Sequence, residues 1–417
     1  MSANELSLSG NREAPSWTRS TIIPPMPTAL SHSMLNYFSI TFACNNAKAF
    51  AGFHTSRMGF HPVARKQMQK HCHRTLCSEV VRNGNILLEF VSPVAPLDNS
   101  DIAMDEEERK EALRIVKHLE KHGDSIIDVA LTVSSVIPLY EWAIKQGAKS
   151  IVKPKMIKDD YGEVVYATVN LVGDITHTLV DHTKYIGPFL PGYEGVFSDD
   201  PLNAKKAAVP FSDIDHCVCN VDWGKMAETC DLYQKVLGFH QFISEDDYNV
   251  TTEYSALKST VMASANDLVK MPVTEPAKGR HMSQIEEYLR YNNGPGYQHI
   301  ALRTPDIITC ISEMRNRGIE FIDVPKSYYD DLRERLSMPG APKIREDMNL
   351  IESLNILVDF DKDGYLLQLF VKDHVSSRPT SFYEIIQREG SKGFGAGNFK
   401  ALFEAIEREQ AKRGNLD

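Results

Sequence analysis

The sequence predicts an α+β protein of four βαβββ-type modules, paired into two open barrels, with a lid helix at its C-terminal end. Three observations favour this fold. A strand–helix pattern that ends in Gly-Phe-His occurs twice, a second strand–helix pair has the same spacing in both halves, and strand-like runs follow each helix. Repeated units of a helix followed by strands are typical of α+β folds in which each sheet curls around a cleft.

The first repeat begins each half of the chain. A strand at residues 37–42 leads through a helical stretch to Gly-Phe-His at 59–61, and a strand at 214–221 leads in the same way to Gly-Phe-His at 238–240. In both copies the glycine follows the last apolar residue of the helix. This position predicts a left-handed C-terminal cap.

The second repeat lies downstream of the first in each half. Asp128 and Gly147 are 19 residues apart and enclose a strand and a helix, and His299 and Gly318 are also 19 residues apart. Chance does not readily produce this equality of spacing. We therefore interpret the chain as four copies of one module, two in each half.

Strands are predicted after each of these helices. They lie at residues 85–90 and 164–169 in the first half and at 254–263 and 364–370 in the second. A charged amphipathic helix at residues 105–122 is predicted to connect the two modules of the first half, because its apolar residues recur at helical spacing.

Composition shifts divide the chain into four segments. We expect a flexible N-terminal tail at 1–35, a first domain at 36–185, a linker rich in proline and glycine at 186–212, and a second domain with the C-terminal helix at 213–417. The tail has no basic start followed by an apolar block, so we expect no secretory signal and a cytoplasmic protein.

The composition argues against several classes of protein. Lys and Arg number 46 and Asp and Glu 56, so the net charge of −10 disfavours a nucleic-acid or anionic-membrane partner. No run approaches the roughly 18 consecutive apolar residues of a membrane span. The seven cysteines are odd in number and scattered, which predicts neither a disulfide framework nor a cysteine-rich zinc site.

The two repeats place a histidine on the first strand of both second-half modules. His216 lies 22 residues before Gly238, and Tyr37 lies 22 residues before Gly59, so spacing equates His216 with Tyr37. The equal spacing of the second repeat equates His299 with Asp128. Strands related in this way face each other across one cleft, so we expect the two imidazoles to converge in the second half.

Glu384 is the expected third ligand. It stands in the apolar run 381–386, where a buried carboxylate requires a cation or a metal. Two histidines and one carboxylate form the facial set that holds non-haem Fe(II) and leaves positions open for other ligands. A single histidine on a strand is more often a core or surface residue, so the repeat symmetry is the stronger evidence.

The second half also carries motifs that are specific when they occur together. They are Asp215-His216-Cys217-Val218, Thr252-Glu253-Tyr254-Ser255, Ser283-Gln284-Ile285, Gln298-His299-Ile300-Ala301-Leu302, Val324-Pro325-Lys326-Ser327-Tyr328-Tyr329, Tyr365-Leu366-Leu367-Gln368-Leu369-Phe370, Phe382-Tyr383-Glu384-Ile385-Ile386-Gln387-Arg388 and Gly393-Phe394-Gly395-Ala396-Gly397-Asn398-Phe399. By these motifs, residues 36–417 resemble the 4-hydroxyphenylpyruvate dioxygenase family of the vicinal-oxygen-chelate superfamily. The first half matches only loosely.

The resemblance implies a two-domain vicinal-oxygen-chelate architecture and an Fe(II)-dependent dioxygenase that converts 4-hydroxyphenylpyruvate and O2 to homogentisate and CO2. It implies that His216, His299 and Glu384 hold the iron, and it suggests a homodimer formed through the first half. The substrate pocket that it implies contains Ser259, Thr274, Gln284, Gln298, Gln368, Phe370, Phe382, Phe394, Asn398 and Phe399. Glycines at 393–397 precede an amphipathic helix, so we expect this helix to act as a lid that excludes water.

One pocket position departs from the family pattern. Thr274 stands where the family usually has an asparagine that contacts the substrate, and threonine is shorter and offers a hydroxyl in place of an amide. Two alternatives therefore stay open besides the main interpretation. One is a sibling with a different aryl 2-oxo acid or with hydroxymandelate synthase chemistry, and the other is a metal-binding paralogue without turnover.

Overall fold

Two β-sheets, one in each half of the chain, form the framework of the computed structural model. The structure describes residues 26–67, 75–95, 97, 106–197, 201, 203–242, 249–251, 256–372 and 377–415. Within them the helices are α1 (Thr28–Ser31), α2 (Ala47–Met58), α3 (Glu106–His122), α4 (Val136–Lys145), α5 (Met226–Leu237), α6 (Gln284–Asn292), α7 (Ile307–Asn316), α8 (Lys326–Leu336), α9 (Met348–Ser353) and α10 (Phe399–Lys412). None of them has the length and apolar character needed to cross a membrane.

The strands of the described residues follow the predicted repeats closely. In the first half they are β1 (Met34–Ala43), β2 (His61–Lys66), β3 (Leu76–Asn83), β4 (Ile86–Pro93), β5 (Ser125–Val133), β6 (Lys149–Asp159), β7 (Gly162–Val172), β8 (Ile175–Tyr185) and β9 (Glu194–Gly195). In the second half they are β10 (Ile214–Asn220), β11 (His240–Gln241), β12 (Asn249–Thr251), β13 (Ala256–Ala263), β14 (Lys270–Ala277), β15 (Gly296–Arg303), β16 (Leu357–Asp361), β17 (Gly364–Phe370) and β18 (Phe382–Glu389).

The strand order confirms four modules paired into two open barrels. The first sheet runs β6-β7-β8-β5-β1-β4-β3-β2-β9, and the second runs β11-β13-β14-β10-β15-β18-β17-β16 with β12 beside β13. The first and last strands of every module are parallel neighbours, as in β1 with β4 and β15 with β18. The two modules of each half join through their first strands, which are antiparallel.

The predicted glycine caps are present at the ends of α2 and α5. Gly59 has φ 71° and Gly238 has φ 69°, the left-handed region that favours glycine. A Cβ atom at Gly59 would lie 2.6 Å from Val209, and one at Gly238 would lie 2.6 Å from the Met26 sulfur. Both glycines are therefore required by backbone conformation and by close packing.

The two halves share one hydrophobic core, and two buried histidines of the first half cross it. His54 Nε2 lies 2.9 Å from the hydroxyl of Tyr383, and His177 Nε2 lies 3.1 Å from the hydroxyl of Tyr233. Burial lowers the pKa of both imidazoles to about 4, so they are neutral at physiological pH. Each Nδ1 lies against a backbone carbonyl, which leaves Nε2 as the acceptor for the tyrosine proton.

The segment predicted as a linker fills the interior of the first barrel. Phe189 is buried there and stacks on Phe38 at 5.5 Å, and the Tyr193 hydroxyl donates to the buried Glu89. Strand β9 then pairs with β2. The predicted domain end at residue 185 is therefore too early, because the apolar residues at 189–193 are buried in the first barrel.

The predicted boundary of the tail is also displaced. The tail was expected to reach residue 35, but β1 begins at Met34, and Asn266 of the second half donates to the carbonyl of Leu35 at 2.8 Å. Residues 1–25 lie outside the described part of the chain. Apolar packing and sheet pairing thus begin before the first predicted strand residue.

The connecting helix α3 agrees with the predicted range to within one residue. Ala112 and Ile115 are buried as expected, and His118 and His122 are buried with them. His122 Nδ1 contacts the carbonyl of Asn292 at the end of α6. The helix therefore contacts the second half as well as joining the two modules of the first.

Candidate metal centre

His216, His299 and Glu384 converge inside the second barrel. They lie on β10, β15 and β18, which are consecutive neighbours in the sheet. One potential ligand atom from each residue lies within 4.8 Å of the other two, and the Glu384 Oε2 atom is 3.3 Å from His216 Nε2 and 3.4 Å from His299 Nε2. His216 and Glu384 are buried, and His299 is nearly so. The structure thus brings the three predicted ligands together.

Strand register explains why these side chains face one cavity. Ala301 of β15 pairs with His216 on one side and with Glu384 on the other. Cys217 and Cys219 of β10 belong to the core shared by the halves, so His216 faces the opposite side, into the barrel. His299 is two residues from Ala301 and therefore shares its face.

Two β-bulges supply each histidine with a second hydrogen-bond partner. Between β10 and β15 the pairing skips Asp215 on one strand and Gln298 on the other. Asp215 Oδ1 lies 2.8 Å from His216 Nδ1, and Gln298 Oε1 lies 3.1 Å from His299 Nδ1. Both partners are acceptors, so they hold the proton on Nδ1 and leave the Nε2 lone pair free for a metal. Bulges next to active sites commonly redirect side chains in this way.

The charges at the site favour a carboxylate between two imidazoles. Burial alone would raise the pKa of Glu384, but His216 and His299 more than offset it and lower the value to about 2. Burial would lower the pKa of His216, yet the carboxylates of Glu384 and Asp215 raise it. For His299 burial prevails, and its pKa is lowered. An ionised carboxylate beside a free imidazole nitrogen is a suitable ligand set.

Arg388 holds Asp215 and connects it to the loop before α10. Arg388 Nε and Nη2 each donate to Asp215 at 2.8 Å, and Nη1 donates to the carbonyl of Gly393. The guanidinium lowers the pKa of Asp215 well below its usual range, although burial acts in the opposite direction. Its charge also lies 5.2 Å from the ring of Phe394, which contacts His216 at 5.1 Å. Sequence reasoning assigned no role to Asp215 or Arg388.

Three of the phenylalanines predicted for the substrate pocket lie beside the imidazoles. Phe382 stacks on His299 at 5.0 Å, and Phe370 meets His299 edge-on at 6.1 Å. Phe394 packs against Phe242, a contact that the sequence did not reveal. The side chain of Phe399 and the motif at 252–255 lie outside the described residues.

The predicted polar pocket residues fall into three groups. Gln284 and Gln298 line one cavity with Phe370 and Phe382, and their amides are 3.5 Å apart. The amide of Gln368 is buried without a hydrogen-bond partner among the described residues. Asn398 accepts a hydrogen bond from the Tyr328 hydroxyl at 2.7 Å, and its amide nitrogen has no partner there.

The third group is the pair Ser259 and Thr274. They are directly opposite each other on β13 and β14. Thr274 donates its hydroxyl proton to the side-chain oxygen of Asn220, the last residue of β10. Asn220 was not predicted, and its only signal in the sequence is its even spacing from His216 on the same strand.

The predicted lid helix is α10. Its apolar face packs on α6, where Phe403 joins a cluster with Leu257 and Ile285. Beyond its end, Arg413 forms a salt bridge with Glu287 at 2.8 Å. Ile406 of this helix lines the same cavity as Phe370 and Phe382. The helix therefore closes one side of the cavity that Phe370 and Phe382 line, and both of these rings contact His299.

Comparison with known proteins places these features in context. Residues 213–369 match the model of the Glyoxalase/Bleomycin resistance protein/Dioxygenase superfamily. A 4-hydroxyphenylpyruvate dioxygenase from Aspergillus fumigatus is 50% identical over 399 residues, which cover 94% of this chain and 98% of that protein. An enzyme of the same name from Coccidioides posadasii is 46% identical over 97% of this chain and 100% of that protein. Another from Dictyostelium discoideum is 43% identical over 92% of this chain and 100% of that protein.

A solved structure has the same fold. It is a mutant of 4-hydroxymandelate synthase from Streptomyces coelicolor, 28% identical, with a TM-score of 0.75 over 91% of this chain and 99% of that one. The similarity extends over both halves. It confirms the α+β architecture of paired modules.

Proposed function

This chain belongs to the 4-hydroxyphenylpyruvate dioxygenase family, and we propose that it converts 4-hydroxyphenylpyruvate and O2 to homogentisate and CO2 in tyrosine and phenylalanine catabolism. One observation carries the proposal. Two imidazole Nε2 atoms, whose rings hold their protons on Nδ1, and one ionised carboxylate meet within 4.8 Å inside a barrel lined by aromatic rings. A dioxygenase acting on an aromatic 2-oxo acid needs both features.

The proposed cofactor is Fe(II), held by His216, His299 and Glu384. The donor set fits it, because a one-sided set of two nitrogens and one oxygen leaves positions open on the other side. When bound, iron would supply the redox chemistry that couples loss of CO2 to hydroxylation of the ring. The 2-oxo acid of the substrate is a chelating group suited to the open side.

The protein's own residues orient the proposed metal ligands and bind and enclose the substrate. Asp215 and Gln298 keep the Nδ1 protons in place, so that the ligand nitrogens point into the barrel. Phe370, Phe382 and Phe394 offer apolar faces for the substrate ring. We assign the polar substrate contacts to Ser259, Thr274, Gln284, Gln298, Gln368 and Asn398, with Phe399 as a further ring contact.

Water exclusion is assigned to α10. The helix covers the cavity through Ile406 and is held to α6 by apolar packing and by the salt bridge of Arg413. Opening would need the glycines at 393–397 to act as a hinge. A closed and dry cavity strengthens electrostatic interactions at the site and protects a reactive intermediate from side reactions.

The first half is proposed to be a non-catalytic scaffold through which two copies associate. The resemblance to the family supports a homodimer on this side, where Met156, Ile186 and Phe197 are exposed apolar residues. Light scattering should give twice the chain mass of 46.9 kDa. A cytoplasmic location is supported by the described cysteines, none of which forms a disulfide with another described cysteine.

Oxygen uptake with 4-hydroxyphenylpyruvate tests the proposed function. Purified chain loaded anaerobically with Fe(II) should consume O2 and release CO2, and chromatography should identify homogentisate as the product. The 28% identity to a 4-hydroxymandelate synthase mutant favours one alternative, hydroxylation at the benzylic carbon, for which 4-hydroxymandelate would be the product. Binding of iron without O2 uptake would instead indicate a paralogue without turnover.

A further inference from the structure

Asn220 faces the same interior as the metal ligands. Cys217, Cys219 and Val221 lie in the core shared by the halves, so the alternate residues of β10, including His216 and Asn220, point into the second barrel. The bulge beside this part of β10 adds its extra residue on β15, so the alternation along β10 is intact. Because four residues of an extended strand separate them, the backbone of Asn220 lies about 13 Å from that of His216.

Asn220 and Thr274 together form one hydrogen-bonding unit. They are directly paired on the neighbouring parallel strands β10 and β14. The Thr274 hydroxyl donates to Asn220 Oδ1, which fixes the orientation of the amide. The Nδ2 atom of Asn220 is buried and has no hydrogen-bond partner among the described residues. A fully buried amide group with two unused protons is costly unless a ligand accepts one of them.

Ser259 lies next to this unit, beside Thr274, the residue that stands where the family usually has asparagine. Val261 of β13 contacts Phe242 and Phe394 inside the barrel, and Ser259 is two residues from it and therefore on the same face. Thr274 pairs with Ser259, so Asn220, Thr274 and Ser259 form a polar group on the inner face of three neighbouring strands. An amide that is absent at position 274 is thus present on the next strand.

We propose that Asn220 Nδ2 donates a hydrogen bond to the ring hydroxyl of the substrate, and that Thr274 positions this amide. The inference rests on the proposed function, because it assumes a 2-oxo acid chelated at the ligand end and its ring extending along β10. Asn220 is then a specificity-determining residue for para-hydroxylated aryl 2-oxo acids. A site built to bond a hydroxyl discriminates strongly against the analogue that lacks it, because the buried donor is left unpaired.

The test compares two ligands that differ only in the ring hydroxyl. Binding of 4-hydroxyphenylpyruvate and of phenylpyruvate to the full Fe(II)-loaded chain is measured without O2, by calorimetry, and kcat and KM are then measured for both in air. We expect Asn220→Leu to reduce the preference for 4-hydroxyphenylpyruvate roughly tenfold in both assays. Affinity for phenylpyruvate should not fall.

Two further variants separate a contact from a structural effect. Thr274→Val keeps the shape but removes the hydroxyl that orients the amide, and should reduce the preference by a smaller factor. The double variant Asn220→Leu/Thr274→Asn returns an amide from the neighbouring strand and should restore much of the preference. An equal loss for both ligands in Asn220→Leu, with no restoration in the double variant, would overturn the inference.

Failure of the proposed function would look different. In that case the unmodified chain would neither bind 4-hydroxyphenylpyruvate nor consume O2 with it. If the unmodified chain turns over 4-hydroxyphenylpyruvate but Asn220→Leu leaves the ligand preference unchanged, only the assignment of Asn220 is wrong.

Discussion

The two halves contain the same pair of β-bulges but use them differently. In the second half the bulge residues are Asp215 and Gln298, and each bonds a ligand histidine. In the first half the pairing of β1 with β5 skips Phe38 and Ile127 at the corresponding places. Identical backbone irregularities thus carry polar residues in one half and apolar residues in the other.

Strand register also gives the true counterparts of the three ligands. His216 pairs with Ala301, and the corresponding Ala130 pairs with Ser39, so His216 corresponds to Ser39. The prediction that Tyr37 is the counterpart was wrong, because spacing counted from Gly59 does not match the sheet register. Asp128 remains the counterpart of His299, and the parallel pairing of β5 with β8 makes Thr178 that of Glu384.

The different side chains at these positions change the pKa of a buried carboxylate in each barrel. Burial raises the pKa of Asp128 to about 7, although the hydroxyl groups of Thr176 and Thr178 and the charge of Arg114 act in the opposite direction. Glu384 is also buried, yet two imidazoles lower its pKa to about 2. The two barrels thus place a buried carboxylate in different surroundings, and in the second barrel two imidazoles face it.

The largest expected effect is at Glu384. Glu384→Ala removes one of three ligands and should lower kcat by roughly a thousandfold or more, with loss of iron measured by elemental analysis. The matched control is Thr178→Ala at the counterpart position, which should leave iron content and O2 uptake essentially unchanged. Normal iron content in Glu384→Ala would contradict the assignment of the ligands.

The next effect is on stability alone. Phe189→Ala empties part of the first barrel and should cost about 3 kcal/mol in the free energy of unfolding, measured by urea titration. Iron affinity should change little, since the second barrel is untouched. The control is Phe197→Ala, because Phe197 is 93% exposed on the same segment and should have little effect. Equal destabilisation by both variants would show that Phe189 does not fill the barrel.

Asp215 should affect the affinity for the metal although it is not a proposed ligand. Asp215→Asn weakens the hold on the His216 proton and frees Arg388, so the affinity for Fe(II) should fall about 10- to 100-fold in competition with a chelator. Phe38→Leu changes the equivalent bulge of the first half and should leave that affinity unchanged. If both variants bind iron as the unmodified chain does, the bulge residue has no part in positioning the ligand.

The smallest expected effect is the pH dependence that Asp128 contributes. Its folded pKa of about 7 exceeds the ordinary 3.8, so its contribution is fully present below about pH 4 and is lost as pH rises through 7. Asp128→Asn mimics the protonated form. Its free energy of unfolding relative to the unmodified chain should therefore increase by roughly one to a few kcal/mol between pH 5 and pH 8. A pH-independent difference would contradict this.

The sequence was sufficient for the modules and for the convergence of His216, His299 and Glu384. Repeats are local patterns that can be recognised from the order of residues. Equal spacing located His299 and the strands around it, and a carboxylate in an apolar strand located Glu384. The contact between Asp215 and Arg388 joins residues 173 positions apart, and no spacing rule connects them. Bulges that shift the register, as at Phe38 and Gln298, are likewise invisible to periodicity.

The interior of the first barrel was also beyond sequence reasoning. Proline and glycine at 186–212 indicate a linker, and the few apolar residues that enter the barrel show no periodic pattern that would distinguish them. The pairing of Asn220 with Thr274 is a similar case, because it depends on two strands that meet only in the folded sheet. Tertiary packing decides such positions.

The neutral imidazoles of His54 and His177 give the first half a part in aligning the ligand strands. Tyr383, whose hydroxyl donates to His54, directly precedes Glu384. Tyr297 lies two residues before His299, and its hydroxyl bonds that of Tyr233, which in turn bonds His177. Cutting the chain to residues 213–417 would remove His54 and His177 from the back of the strands that carry His299 and Glu384. A minimal enzyme engineered from this chain must therefore carry a replacement for the surface of the first half that contacts these strands.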